Sequence, residues 1–98
     1  MSLRLVFRRV AQIEFDEAAA WYEVRRDGLG IEFVAEIQKV LDTVRSHPNR
    51  YHVVFGDVRE ARARRFPYCV YYRVKPDRIV ILAVFHTSRD PAVWQSRA

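Results

Sequence analysis

Residues 59–86 read REARARRFPYCVYYRVKPDRIVILAVFH, and this stretch of the sequence decides the fold class. Two nearly continuous apolar runs, 68–74 and 79–85, flank a short segment that is rich in turn residues. This pattern predicts a hairpin whose two strands are buried on both faces or lie centrally in a sheet. The preceding segment, 59–67, alternates arginine with other side chains and predicts a third strand that carries positive charge.

Upstream of these strands, the sequence predicts one strand followed by two helices. Residues 3–7 show a short alternating pattern, which is typical of a strand. From residue 10 the spacing becomes helical, along a stripe formed by Val10, Ile13, Glu17, Ala20, Trp21 and Val24. Trp21 and Tyr22 are expected to pack against the second helix or the sheet. Residues 27–30 predict the tight turn between the helices.

The second helix has the clearest pattern in this half of the chain. One of its faces gathers the apolar residues Phe33, Val34, Ile37, Val40, Leu41 and Val44. His47 and Pro48 are expected to end it, because the residue before a proline avoids the helical region. Residues 51–57 are expected to form a loop. Near the C-terminus, Asp90 followed by Pro91 predicts a final helical turn capped by the aspartate.

Together these elements predict one α+β domain over residues 1–98. The expected order is a strand, an antiparallel helical hairpin, a three-stranded antiparallel meander that completes one sheet, and a short C-terminal helix. Half of the residues are hydrophobic and 13% are aromatic, which is typical of a globular protein and excludes a disordered chain. The apolar runs are too short to span a bilayer, and no apolar segment follows the N-terminal arginines. A cytoplasmic location is therefore expected.

Arginine supplies almost all of the positive charge. The formal net charge is +5, and Lys39 and Lys75 are the only lysines. Arginines on a rigid sheet suit a polyanion or an acidic protein partner. The single Cys69 excludes an internal disulfide and, in its apolar strand, predicts a buried and inert thiol. The three histidines are scattered and no phosphate-binding loop is present, so neither a metal nor a bound cofactor is expected.

Strand alternation divides the arginines of the charged segment between two faces. Arg62 and Arg64 are expected on one face, and Arg59 and Arg65 on the other. The second face also contains Ala61 and Ala63. These small side chains are expected to leave room for a phosphate or for an acidic side chain of a partner.

If the protein is an enzyme, these residues best suit a ribonuclease that needs no metal. His86 ends the last strand with the parity of Leu82 and Val84, and it is the candidate general acid or base. An arginine would stabilise the charge on the phosphate during attack by the ribose 2′-hydroxyl. The full candidate set is Arg65, His86, Arg89, Arg59 and Tyr72. No carboxylate is expected beside them, because Glu60 points away from Arg59 and Arg65.

The chain closely resembles the RelE/ParE superfamily of toxins from type II toxin–antitoxin systems, which includes proteins described as plasmid stabilisation factors. The resemblance runs over most of the chain, and the order and spacing of the motifs carry it. The matching motifs are Trp21-Tyr22-Glu23, Gly30-x-x-Phe33, His47-Pro48, Arg64-Arg65-Phe66-Pro67-Tyr68 and Ala83-Val-Phe-His86-Thr-Ser-Arg89-Asp90-Pro91-x-x-Trp94. The predicted order of elements agrees with the fold of this superfamily.

The resemblance implies a small bacterial toxin that a cognate acidic antitoxin neutralises. Toxin and antitoxin would contact operator DNA only through the antitoxin, and a homodimer or a hetero-oligomer with the antitoxin is expected. ParE-like members inhibit DNA gyrase, whereas RelE-like members cut mRNA on the ribosome.

Arg65 and His86 lie roughly where the ribonuclease branch places an arginine and a histidine. However, the chain lacks that branch's lysine cluster and has no tyrosine after Tyr72. The sequence therefore favours a ParE-like inhibitor slightly, with Arg59, Arg62, Arg64 and Tyr72 contacting the target or a phosphate. The alternatives are a RelE-like endoribonuclease and a degenerate binding module without toxicity.

Overall fold

A computed structural model describes residues 3–98, which form one mixed five-stranded sheet with two long helices packed on one of its faces. A short third helix lies against the other face. In chain order, the elements are β1 (Arg4–Phe7), α1 (Arg9–Arg25), α2 (Leu29–Ser46), β2 (Val53–Phe55), β3 (Val58–Arg62), β4 (Tyr68–Val74), β5 (Arg78–His86) and α3 (Ala92–Gln95).

The strand order in the sheet is β1-β5-β4-β3-β2, which confirms the predicted fold class. The two apolar runs become β4 and β5, and both lie inside the sheet, as their composition predicted. β5 pairs in parallel with β1 and antiparallel with β4. The expected loop at residues 51–57 contains an additional strand, β2, whose three residues are all exposed at the sheet edge. The meander therefore has four strands instead of three.

The main core lies between the helical hairpin and the sheet. The apolar face of α2 is buried as predicted, with Val34 as its one exposed member. For α1 the predicted face was wrong: Ala11 and Ala18 are buried, whereas Trp21 is 52% exposed and Val24 is 82% exposed. The face of α1 that meets the core is the stripe formed by Ala11, Phe15, Ala18 and Tyr22, so Trp21 and Val24 lie on the outer side of the helix. Tyr22 does pack against α2, with its ring 5.1 Å from that of Phe33.

Glu23 fixes the turn between α1 and α2. Its two carboxylate oxygens accept hydrogen bonds from the backbone N–H groups of Gly28, at 2.8 Å, and Gly30, at 2.9 Å. These N–H groups belong to the start of α2, where backbone donors have no partner within the helix. Gly28 has a φ of 86°, in the left-handed region that favours glycine. The hairpin therefore depends on one carboxylate and on a glycine at position 28.

Replacing Gly30 with alanine is expected to lower the free energy of unfolding by about 2 kcal/mol. A Cβ at this position would lie 2.5 Å from the carbonyl oxygen of Ala19, so the two helices would have to separate. The higher helix propensity of alanine offsets about 1 kcal/mol of the strain. Urea denaturation measures the change, and the matched control is Ile31→Ala at the neighbouring, 74% exposed position. Equal stability of the two variants would contradict the close contact.

A bulge in β5 changes which residues face the helices. Tyr71 pairs with Ala83, but Tyr72 pairs with Ile81, so Leu82 is an extra residue in this strand. Ile81 and Val84 belong to the core under the helices, whereas Leu82 packs on the opposite face. The expectation that His86 shares the parity of Leu82 was therefore wrong. After the bulge, His86 follows Val84 onto the helix side.

The remaining local predictions have clear outcomes. Cys69 is buried, as expected, and burial raises the pKa of its thiol. The final helical turn is also confirmed, since an Asp90 carboxylate oxygen accepts from the N–H of Ala92 at 3.0 Å. None of the helices within residues 3–98 is long and apolar enough to cross a membrane.

Candidate functional site

A basic cleft lies between α2 and the segment that follows β3. Its volume is about 710 Å³, and five of its side chains are cationic against one carboxylate. The residues that line this basic cleft are Glu36, Lys39, Val40, Thr43, Arg50, Tyr51, Arg62, Arg64 and Arg65. An open, strongly cationic surface of this kind attracts an anionic partner and orients it during approach.

Among the described residues, the basic cleft has three arginines without a side-chain partner, Arg50, Arg62 and Arg64, and the last two belong to the charged segment after β2. Within residues 3–98, neither side chain forms a hydrogen bond or an ion pair, and both residues are exposed. The one carboxylate of the cleft, Glu36, is already paired with Lys39 at 3.1 Å. Both arginines therefore keep their full hydrogen-bonding capacity for a carboxylate or a phosphate.

Arg65 lies at the rim of the same cleft in an ion pair with Glu32. The distance from Nη2 to Oε1 is 2.7 Å, and just over half of the arginine side chain is exposed. The hydrogen bond from Arg65, followed by that from Arg26, lowers the pKa of Glu32 below its usual value. The same pair raises the pKa of Arg65. The interaction is therefore present at neutral pH and is lost only as the pH falls through the lowered pKa of Glu32.

Arg59 and Tyr72 have roles inside the fold instead of on the target surface. The guanidinium of Arg59 donates to the carbonyl oxygens of Tyr51, at 2.6 Å, and Asn49, at 3.3 Å. Tyr72 is completely buried, and its hydroxyl donates to the carbonyl oxygen of Pro48 at 2.7 Å. Both side chains tie the segment after α2 to the sheet. This burial leaves Tyr72 no direct contact with a target.

The expected space beside Ala61 and Ala63 is also absent. Both alanines are buried in the core beneath the helices, because that face of the sheet packs against α2. Alternation holds as far as Arg64, since Ala61 and Ala63 are buried while Arg62 and Arg64 are exposed. It fails at Arg65, which lies beyond the end of β3 and lines the same cleft as Arg62 and Arg64 instead of facing the core.

Replacing Tyr72 with phenylalanine is expected to lower the free energy of unfolding by about 1 kcal/mol, because the hydrogen bond to the carbonyl oxygen of Pro48 is lost. Burial raises the pKa of this tyrosine from 10.0 to about 12. The contribution of the tyrosine to stability is therefore complete below pH 10 and is lost as the pH rises towards the folded-state value. Thermal unfolding between neutral and alkaline pH measures this loss. A Tyr72→Phe protein that is as stable as the unmodified chain would contradict the structural role.

A second cleft, which we call the histidine cleft, lies between α1 and the end of β5. Its volume is about 360 Å³. The residues that line it are Glu14, Glu17, Ala18, Trp21, Tyr22, Tyr68, Val84, His86 and Arg89. The bulge in β5 is what turns His86 toward this cleft, where its ring meets that of Tyr68 edge to face at 5.1 Å.

The hydrogen bonds of His86 make it a poor general base. Its Nδ1 accepts from the backbone N–H of Ser88 at 3.0 Å and lies 2.8 Å from the hydroxyl oxygen of the same serine. Because Nδ1 is an acceptor, neutral His86 carries its proton on Nε2. In that tautomer Nε2 already bears a proton and is unable to take one from a ribose hydroxyl.

The predicted ribonuclease residues do not converge on one cleft. Arg65 lines the basic cleft, whereas His86 and Arg89 line the histidine cleft. Arg89 is itself paired with Glu14 at 2.9 Å, and its guanidinium lies over the ring of Phe85 at 4.1 Å. General acid–base catalysis requires its groups within hydrogen-bond reach of one reacting centre. This arrangement does not provide that geometry.

Glu14 is the centre of a polar network that the sequence did not predict. Its two oxygens accept from both terminal nitrogens of Arg97 at 2.9 Å, from Arg89, and from the backbone N–H of Val84 at 3.1 Å. Arg97 also donates to the carbonyl oxygen of Leu82 at 3.2 Å. These backbone groups belong to the part of β5 beyond the end of β1. The network therefore satisfies backbone groups of β5 that have no neighbouring strand. No local sequence pattern predicts it, because Glu14 lies far from Arg89 and Arg97 in the sequence.

Comparisons with known proteins agree with this architecture. A family model described as the ParE toxin of the type II toxin–antitoxin system parDE matches residues 5–91. A solved structure described as the chromosomal ParDE toxin–antitoxin system from P. aeruginosa contains a chain that superposes with a TM-score of 0.75. The two chains are 22% identical, and the match covers 88% of this chain and 97% of the other, so this likeness concerns the fold. No curated protein sequence matches the chain significantly. Within the described part of the chain, no group of three or more His, Cys, Asp or Glu side chains could hold a metal ion.

Proposed function

The chain belongs to the ParE toxin family of type II toxin–antitoxin systems, and from this premise we propose that it inhibits growth by binding DNA gyrase. The observation that carries the proposal is the separation of Arg65 from His86, which line two different clefts. A binding surface needs only exposed complementary groups. A ribonuclease needs an acid, a base and a cation around one phosphate.

The basic cleft is the proposed contact surface for the target. Among the described residues it offers three unpaired arginines, Arg50, Arg62 and Arg64, beside the ion-paired Arg65 on a rigid frame of sheet and helix. Arginine is enriched among the residues that dominate binding energy at protein interfaces. Acidic side chains of gyrase would be attracted to this surface, and so would those of a cognate acidic antitoxin. Competition for the same arginines would explain neutralisation, and the site of action would be the cytoplasm.

A supercoiling assay with purified components tests the proposal. The chain is added to gyrase and relaxed plasmid, and the topoisomers are resolved after protease treatment. We expect supercoiling to be inhibited or cleaved DNA to accumulate, and ribosome-bound mRNA to stay intact in a parallel reaction. Normal supercoiling together with cleavage of that mRNA would overturn the proposal in favour of the ribonuclease. Normal supercoiling with intact mRNA would favour a degenerate binding module.

Pulse labelling in cells gives an independent measurement. The chain is induced without its antitoxin, and incorporation of thymidine and methionine is followed during the first minutes. Inhibition of gyrase predicts that thymidine incorporation falls first, because replication stops before translation. An earlier fall in methionine incorporation would contradict gyrase as the primary target.

A further inference from the structure

We propose that the histidine cleft binds the guanidinium group of an arginine that projects from a protein partner. The proposal concerns a site separate from the basic cleft and does not depend on which target the basic cleft binds. The charge of the residues that line the histidine cleft differs in sign from that of the whole chain. The formal net charge of the chain is +5, yet this cleft contains two carboxylates, Glu14 and Glu17, and one arginine, Arg89.

Glu17 is the carboxylate that remains available in the histidine cleft. Glu14 is paired with two arginines, Arg89 and Arg97, so neither of its oxygens is available to a ligand. Glu17 is exposed and forms no hydrogen bond or ion pair with any residue in the range 3–98. The cleft therefore has one unpaired negative charge and no unpaired arginine or lysine.

The walls of the cleft are aromatic. Trp21, Tyr22, Tyr68 and His86 all line it, and Trp21 is 52% exposed although tryptophan is usually well buried. The face of an aromatic ring carries partial negative charge and attracts a cation. Glu17 lies one helical turn before Trp21, so its carboxylate and the indole ring lie on the same side of α1. Together they match a group that is both planar and cationic.

Trp21 already shows this preference within the molecule. The guanidinium carbon of Arg25 lies 3.3 Å from the centre of the indole ring, one turn after Trp21. Arg25 does not line the histidine cleft, whereas Glu17, one turn before, does. An incoming guanidinium would contact the tryptophan from the Glu17 side. A planar guanidinium stacks on aromatic faces better than an ammonium, which favours arginine over lysine.

A nucleotide suits this cleft less well, although its base would also stack on the aromatic rings. Its phosphates would meet the unpaired carboxylate of Glu17, and the two nearby arginines, Arg89 and Arg97, are both held by Glu14. Like charges at close range oppose binding. The charge distribution therefore favours a cationic side chain over a nucleic acid.

Titration of the purified chain with a blocked arginine, Nα-acetyl-arginine amide, tests the site. Nuclear magnetic resonance follows the indole N–H signal of Trp21, and the buried Trp94 provides an internal reference for the folded state. We expect the Trp21 signal to shift with saturation. The uncharged analogue Nα-acetyl-citrulline amide, at equal ionic strength, should give no saturating shift. An equal response to both compounds, or none to either, would overturn the proposal.

Two α1 variants with the same change of charge sharpen the result. Glu17→Gln is expected to weaken binding of blocked arginine about fivefold, because it removes the one unpaired carboxylate among the described residues that line the histidine cleft. Asp16→Asn removes a charge from the neighbouring position, where Asp16 bonds to Gln12 outside the cleft, and should have little effect. Equal weakening in both variants would indicate general electrostatic attraction and would overturn a specific site.

The source of the arginine is identified in a second step with the full chain. If the antitoxin supplies it, Glu17→Gln weakens the complex with the cognate antitoxin and leaves growth inhibition intact. If the growth target supplies it, the same variant reduces growth inhibition and leaves the antitoxin complex unchanged. Unchanged behaviour in both measurements would overturn a role for the cleft in partner binding. Gyrase inhibition by the unmodified chain is scored separately, so the two proposals fail independently.

Discussion

Replacing Arg62 and Arg64 together with glutamine is expected to weaken binding to the growth target about a hundredfold. Both side chains are exposed in the basic cleft, and within residues 3–98 they have no partner of their own. A partner carboxylate would gain charge-assisted hydrogen bonds from each guanidinium, and these bonds are roughly twice as strong as neutral ones. Glutamine keeps much of the side-chain length and removes only the charge. The concentration that half-inhibits supercoiling and the plating efficiency of induced cells measure the loss.

The matched control for this prediction is the double variant Arg8→Gln with Arg9→Gln. It removes the same net charge from two exposed residues at the start of α1, far from the basic cleft in the chain. We expect the control to change inhibition by less than about threefold, since a distant rim charge mainly affects the association rate. If both double variants lose inhibition equally, overall positive charge rather than the basic cleft is responsible.

Replacing Glu14 with alanine is expected to lower the free energy of unfolding by about 3 kcal/mol. The side chain of Glu14 is 10% exposed and that of Arg97 is 13% exposed, so solvent screens this pair weakly. The substitution leaves the nearly buried guanidinium of Arg97 with only the carbonyl oxygen of Leu82 as a partner, and it leaves the backbone N–H of Val84 with none. It also removes one of the contacts that hold the C-terminal segment to the sheet. Guanidinium chloride denaturation, with far-ultraviolet circular dichroism as the signal, measures the change.

Glu17→Ala provides the control, because Glu17 lies on the same helix with no partner among the described residues. Its stability should change by less than about 0.5 kcal/mol. A double-mutant cycle with Arg97→Ala then isolates the coupling of the pair, which we expect to exceed 1 kcal/mol. A loss below about 1 kcal/mol for Glu14→Ala would mean that the network behaves as an ordinary surface ion pair.

The fold was predictable where one local pattern had one interpretation. The apolar face of α2 and the continuous apolar runs of β4 and β5 each favoured a single assignment, a half-buried helix and two buried strands. The structure confirms all three elements. The face of α1 was not predictable in this way, because the helix has two apolar stripes: one with Trp21 and Val24 that is exposed, and one with Phe15 and Tyr22 that packs on the core. Periodicity identifies a helix but does not say which of two possible stripes a close neighbour will cover.

The candidate site was predictable only in part, because several of its roles depend on contacts that are distant in sequence. The basic character of residues 59–65 is present in the structure. The hydrogen bonds that commit Arg59 and Tyr72 to the segment after α2 have no local signature. The bulge at Leu82 likewise reverses the parity of all later residues in β5, so His86 shares the face of Val84, as alternation predicted, but not that of Leu82. A one-residue insertion in a strand has this effect on every side chain beyond it.

The position of β5 in the sheet has a consequence for synthesis of the protein. β1, at residues 4–7, and β4 both need β5 as a neighbour, yet β5 begins only at residue 78. During translation, β1 therefore waits for a partner that leaves the ribosome after all the other strands. Contacts between such distant segments also make folding comparatively slow. A nascent chain interrupted before residue 78 lacks β5, which joins β1 to the rest of the sheet, so incomplete translation products should not inhibit the growth of the cell that makes them.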